Sequence, residues 1–264
     1  MNNNGTYTNL PTRRLFHVPI HALRMDEVLA QVDSAIEHRS QLLIGVVNAA
    51  KLVNMRRDEL LRDSVLESDL ILADGMAVVW GCRLLGRSLP GRVPGIDLMF
   101  EMLRRGDKRG YRVYCLGATQ DVLTTVTRKI GECYPGVVLA GSRNGYFKPE
   151  EEGEIVADIR ASKADILFVA MSPPKKEQFL GRWAREMDVP VCHGVGGAFD
   201  VMAGKVKRAP ERWQRMGMEW LYRVLQEPRR MWRRYLITNT LFVWMLGADA
   251  IGRLRPMRTS QSPA

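Results

Sequence analysis

What this sequence lacks narrows it first. Its four cysteines, Cys82, Cys115, Cys133 and Cys192, are scattered, form no CxxC pair and have no histidine at ligand spacing. That argues against a disulfide framework and a structural zinc site, and buried free thiols are expected instead. No apolar stretch precedes the first arginines of MNNNGTYTNLPTRR, so no signal peptide is expected and the body of the protein should stay in the cytoplasm. A GxSxG nucleophile elbow and a GxGxxG dinucleotide fingerprint are both missing. So is a DxD pair that would bridge a nucleotide through a metal, and no metal or cofactor is expected. The apolar stretch from Leu236 to Ile251 carries Asn239, Gly247 and Asp249 and falls short of the ~20 residues that span a bilayer. His17, His21, His38 and His193 form no motif, and His193, inside an apolar run, reads as a packed residue.

What is present is ample for a core: 46% of residues are hydrophobic and 26% charged. The net charge of +10 is unevenly spread. Residues 205–258 hold 13 Lys/Arg against four Asp/Glu, leaving 26 and 25 elsewhere. The body is close to neutral, and the tail must face something anionic: lipid, a pyrophosphate or nucleic acid. The expected division is therefore a near-neutral body over 1–204 and a basic appendage over 205–264.

Six apolar runs read as strands: QLLIGVVN (41–48), SDLILADG (68–75), YRVYCLGA (111–118), GVVLAGS, ADILFVAM (164–171) and the start of VPVCHGVGGAFD (189–200). Helical patterns separate them, among them 25–39, one continuous helix through AAKLVNMRRDELLRDSVLES, and IDLMFEMLRRGDKRG closed by glycine. Strands alternating with helices predict an α/β fold, a Rossmann-like and largely parallel sheet with helices on both faces. Ligands then bind beyond the carboxyl ends of the strands. The polar residues that interrupt the runs fall there: Asn48, Asp74-Gly75, Gly117, Ser172 to Lys175, and Gly194 to Asp200.

Asp74 could take a proton from an acceptor hydroxyl, or merely cap the next helix. The GVGGAFD segment, with Gly196, Gly197 and Asp200, suits a phosphate cradle or a packing turn. Lys175 and Lys176, before Glu177, stand at a helix N-terminus, where cations are unfavourable unless an anion is bound; a solvated pair is the alternative. Arg92 in GRVPGID adds a cation beside Gly95 and Asp97.

In the tail, Trp213, Trp220, Trp232 and Trp244 are interleaved with arginines, the composition of an interfacial helix. Arg223, Arg230 and Arg233 fall on one helical face. Pro228 starts a fresh turn or kinks the run. Single-stranded nucleic acid would suit the same composition, but the LFVWML stretch favours an anionic membrane surface.

The segments VNAAKLV, LADGMAVVW, RVPGIDL, SPPKKEQF, GVGGAFDVMAGKVKRAP and GMEWLYRVLQEP together resemble the WecG/TagA/CpsF family of inverting glycosyltransferases, glycosyltransferase family 26, from about Leu42 to Arg230. The resemblance implies a UDP-sugar donor, a polyprenyl-diphosphate-linked sugar acceptor, no metal, and an appendage that completes the site at the cytoplasmic face of the inner membrane. It places the catalytic base on Asp74, a donor-pocket asparagine on Asn48 and the acceptor-diphosphate arginines on Arg223, Arg230 and Arg233. Two positions depart from the pattern. Val46 stands where N-acetylmannosamine transferases carry Thr, and PKKE stands where PKQE is frequent. Those departures turn the expectation toward the xanthan-type glucosyltransferases: β-1,4 transfer of glucose from UDP-glucose in exopolysaccharide synthesis. An N-acetylmannosamine or N-acetylmannosaminuronic acid donor is the alternative, and a non-catalytic membrane- or nucleic-acid-binding protein is the rival of another class. Oligomerisation is left open.

Overall fold

A computed structural model describes residues 9–172 and 175–252, apart from the side chains at positions 177, 230, 231 and 234. Two short strands, β1 (Thr12–Leu15) and β2 (Val18–His21), form an antiparallel hairpin. The six strands expected from the sequence follow as β3 (Leu42–Val47), β4 (Leu70–Ala73), β5 (Arg112–Gly117), β6 (Val138–Arg143), β7 (Ile166–Ala170) and β8 (Val191–Gly194). They form one parallel sheet in the order β4-β3-β8-β7-β5-β6. The mixed α/β, Rossmann-like architecture is as expected.

Side-chain alternation assigns the two faces. Leu42, Ile44, Leu70, Leu72, Val113, Cys115, Ile166 and Phe168 enter a core with α1 (Met25–Glu37), and two later helices, α5 (Gly95–Arg109) and α6 (Gln120–Cys133), cover the same face. Between α1 and α5 come α2 (Ala49–Asn54), α3 (Glu59–Leu66) and α4 (Met76–Leu84). On the opposite face, Val47, Ile71 and Ala73 meet α2, α3 and α4, while Leu116, Leu167 and Val169 meet α7 (Glu152–Ala161) and α8 (Lys175–Trp183). The last body helix, α9 (Ala198–Ala203), returns to the first face.

Several boundaries differ from the pattern. The helix expected to run from Ala49 to Ser68 breaks between α2 and α3, because Asp58 adopts extended backbone and its carboxylate caps Leu61 N at 2.9 Å. The hairpin carries no turn signature: Phe16 (φ 52°) and His17 (φ 68°) both occupy the left-handed region usually left to Gly or Asn. Burial of Phe16 offsets that strain. Its ring packs edge-on to Phe242 at 5.3 Å between centroids.

The tail folds as α10 (Glu211–Arg215), α11 (Glu219–Gln226) and α12 (Pro228–Ala250), with Pro228 opening α12. One side of α12 is core. Phe242 and Met245 are buried with the hairpin and α4, where Gly81 lets Leu246 approach to 3.0 Å from the site of its missing Cβ. Asp249 accepts from Arg87 Nη1 at 2.9 Å and from Phe16 N at 3.4 Å, fastening the helix end. The other side leaves Trp232, Leu236, Val243 and Trp244 exposed. No described helix is long and apolar enough to cross a membrane.

Candidate active site

Parallel pairing brings the carboxyl ends of β3 to β8 to one edge of the sheet. There the chain leaves β3 toward α2 on one face and leaves adjacent β8 toward α9 on the other. Neighbouring strands with opposite exits open a crevice. A cleft of about 530 Å³ occupies it, with Asn48, Asp74, Ser172 and the 194–197 glycine segment on its wall.

Asp74 is half-buried just past β4. Its Oδ1 accepts from the backbone N–H of Gly95, the first residue of α5, at 3.0 Å, and its Oδ2 lies 3.5 Å from Asn48 Nδ2. The N-cap of α4 is Gly75, so the Asp74 carboxylate serves α5 and the cleft instead of the helix that follows it. Asn48 caps α2 by accepting from Lys51 N at 3.0 Å, which aims its amide at Asp74. Beneath them lies His193, fully buried, with Nε2 3.0 Å from Gly95 O. A carbonyl only accepts, so Nε2 carries the proton. Burial depresses the imidazole pKa to about 4, with the Gly95 carbonyl opposing. His193 is thus a neutral prop for the residue that holds Asp74.

The two adjacent lysines part company. Lys176 is buried in the cleft wall, its stem crossing Gly194, where a Cβ would lie 2.8–3.0 Å from Cδ, Cε and Nζ. Lys175 turns away, donating to Gly145 O and Phe147 O at 3.0 and 3.1 Å over the Phe147 ring. Gly196 (φ 52°) and Gly197 line the cleft, whereas Asp200, one turn into α9, does not. Gly117 also lies outside it. With φ 125° and a Cβ position 2.3 Å from Ala170 O, it is a glycine demanded by strand packing.

Arg92 and Asp97 sit just behind the wall, each held by an appendage residue. Arg92 Nη1 meets Glu219 Oε2 at 2.8 Å, and Asp97 receives both terminal nitrogens of Arg208 at 2.5 and 2.8 Å. Of the three expected acceptor arginines, Arg223 lines the cleft and Arg233 is exposed on α12 outside it. The side chains of Arg230 and Glu177 lie outside the described residues.

Four charged lining residues escaped the sequence reading: Lys51, Lys207, Arg208 and Glu219. Lys51 follows Asn48 by one helical turn, a spacing that was available. Lys207, Arg208 and Glu219 needed the tail's path. Together Lys51, Lys176, Lys207, Arg208 and Arg223 set five cations against the Asp74 and Glu219 carboxylates, a wall suited to a polyanion.

Against known proteins, residues 13–256 match the family model described as glycosyl transferase WecG/TagA/CpsF family. An N-acetylglucosaminyldiphosphoundecaprenol N-acetyl-beta-D-mannosaminyltransferase of Bacillus spizizenii (strain ATCC 23059 / NRRL B-14472 / W23) is 40% identical over 176 residues, which is 66% of this chain and 67% of that protein. With the Asp74 carboxylate in a cation-lined cleft at the strand ends and this match over nearly its whole length, the chain belongs to the WecG/TagA/CpsF family of glycosyltransferases.

Proposed function

We propose that this enzyme transfers N-acetylmannosamine, with inversion, from its UDP conjugate to a polyprenyl-diphosphate-linked N-acetylglucosamine. The observation that carries the reading is Asp74, held at 3.0 Å by Gly95 N with its second oxygen in a cleft lined by five cations. The acceptor hydroxyl oxygen attacks the anomeric carbon while Asp74 takes its proton. The bond from that carbon to the β-phosphate oxygen breaks, and its electron pair leaves with UDP. Lys176, Lys51 and the backbone at Gly196 and Gly197 meet the departing charge. Arg223 holds the acceptor diphosphate. Asn48 orients a sugar beside the carboxylate. The activity in the name of the Bacillus relative supports the N-acetylmannosamine donor over glucose.

A glucose donor in β-1,4 transfer, as in the xanthan-type enzymes, is the second reading. One observation favours it: Val46, apolar where the amino-sugar enzymes carry a hydroxyl, lines the cleft. The basic appendage over 205–264, with its exposed Trp232 and Trp244, then rests on an anionic lipid surface where the acceptor resides.

The test is a donor comparison with purified enzyme in detergent, using UDP-N-acetylmannosamine, UDP-N-acetylmannosaminuronic acid and UDP-glucose against polyprenyl-diphosphate-linked N-acetylglucosamine and glucose. Transfer of N-acetylmannosamine with inverted configuration is expected. Transfer of glucose alone installs the second reading. No transfer from any donor, with salt-dependent binding to RNA or to vesicles alone, replaces the enzyme with a binding protein.

A further inference from the structure

A carboxylate in the wall of a cleft built for diphosphates works against its own ligand, so Glu219 needs a reason to be there. Its partners supply one. Oε2 accepts from Arg92 Nη1 at 2.8 Å, and Arg92 Nη2 reaches Gln214 Oε1 at 3.4 Å. Oε1 lies 3.9 Å from Arg208 Nε, a buried N–H with no hydrogen-bond partner among the described residues, and Arg208 grips Asp97 with both terminal nitrogens. Asp97 stands in the first turn of α5, two residues beyond the Gly95 that holds Asp74. Through this lattice the appendage is fixed to the helix end that aims the base.

Glu219 is also the first residue of α11, and Arg223 follows it by four residues, on the same helical face and in the same cleft. Among the described residues Arg223 makes no ion pair, whereas Arg92 and Arg208 are committed to carboxylates. We infer that Glu219 is a positioning residue for the acceptor: by neutralising Arg92 and approaching Arg208, whose charge Asp97 already meets, it sets α11 so that Arg223 stands over the cleft as a cation offered to the acceptor diphosphate. Glu219 acts through Arg223. The assignment also moves Arg92 and Asp97 from direct donor contact to the clasp that fixes the appendage.

This inference rests on the transferase reading above, and a two-residue cycle separates the two. Glu219→Gln preserves size and removes charge, and Arg223→Ala removes the cation. Each single variant should raise the KM for the lipid-linked acceptor by about tenfold, the size of one strong side-chain coupling. The donor KM and the thermal midpoint should stay close to wild type. The double variant should be no worse than Arg223→Ala alone, because the glutamate has nothing left to position. Effects that multiply in the double variant, a donor KM that rises equally, or an acceptor KM unchanged by Glu219→Gln would each overturn the assignment. If Glu219→Gln lowers the thermal midpoint and kcat together while sparing the acceptor KM, Glu219 is only a structural tie and the inference also fails. Absence of transfer by the wild-type enzyme would instead remove the transferase reading.

Discussion

The backbone N–H of Gly95 donates to Asp74 Oδ1 at 3.0 Å, and this bond decides which way the candidate base faces. One carboxylate oxygen is spent on the first turn of α5. The other is left at the cleft beside Asn48. Gly95 is itself braced by His193, so the orientation of Asp74 depends on a buried strand residue as well as on a helix end.

Replacing Asp74 by Asn keeps the bond to Gly95 and removes the proton acceptor. Turnover should fall by roughly 10²–10⁴-fold while UDP-sugar affinity, measured by calorimetry, stays near wild type. Near-normal turnover would take Asp74 out of the base role.

Gly194→Ala tests the path of Lys176. The new Cβ would lie 2.8–3.0 Å from three atoms of a flexible side chain, so the lysine yields before the backbone does. The KM for the UDP-sugar should rise several-fold, on the order of 1 kcal/mol of lost contact. Lys176→Met should reproduce it. A Lys176→Met enzyme with unchanged donor KM would show that the ammonium does not touch the donor.

The buried imidazole makes stability fall with acid. Folded His193 titrates at about 4, against roughly 6.5 unfolded, so below pH 6.5 the unfolded chain binds the extra proton. Its contribution is fully present above that pH and is lost toward pH 4, about 3 kcal/mol in all. Urea midpoints between pH 7 and 4 should record a decline that His193→Gln flattens. Parallel declines in both proteins would assign the acid sensitivity elsewhere.

Phe242 anchors the last helix against the strained hairpin turn at Phe16. Phe242→Ala should destabilise by roughly 3–5 kcal/mol, read from chemical denaturation. A loss below about 1 kcal/mol would mean that α12 docks without this ring.

Thiol labelling gives an independent check on the core. Burial pushes Cys115 and Cys192 up to about 12 and Cys82 to about 11, while Cys133 is exposed. Iodoacetamide should modify Cys133 in the native protein and the other three only after unfolding. Native labelling of Cys115 would contradict the sheet assignment of β5.

The six sheet strands were legible because each is a short, mostly apolar run between helical patterns, and the carboxyl-edge rule then located Asn48 and Asp74. Pairing order was not legible, since nothing local in VCHG announces that β8 lies between β3 and β7. The β1–β2 hairpin escaped because Phe16 and His17 take left-handed backbone through burial, a tertiary cause. Lys175 and Lys176 are indistinguishable by composition, yet successive helix residues diverge by about 100° and only one enters the cleft. Arg92 and Asp97 looked like free charges because their partners, Glu219 and Arg208, lie more than a hundred residues away.

The central seat of β8 carries a consequence for synthesis on the ribosome. This strand emerges after every other member of the sheet, yet it fills the gap between β3 and β7. Until it arrives, the nascent chain shows two unsatisfied strand edges, which invite misassociation. The cleft beyond the strand ends is therefore completed late, as the glycines behind β8 leave the exit tunnel with the basic helices close behind them.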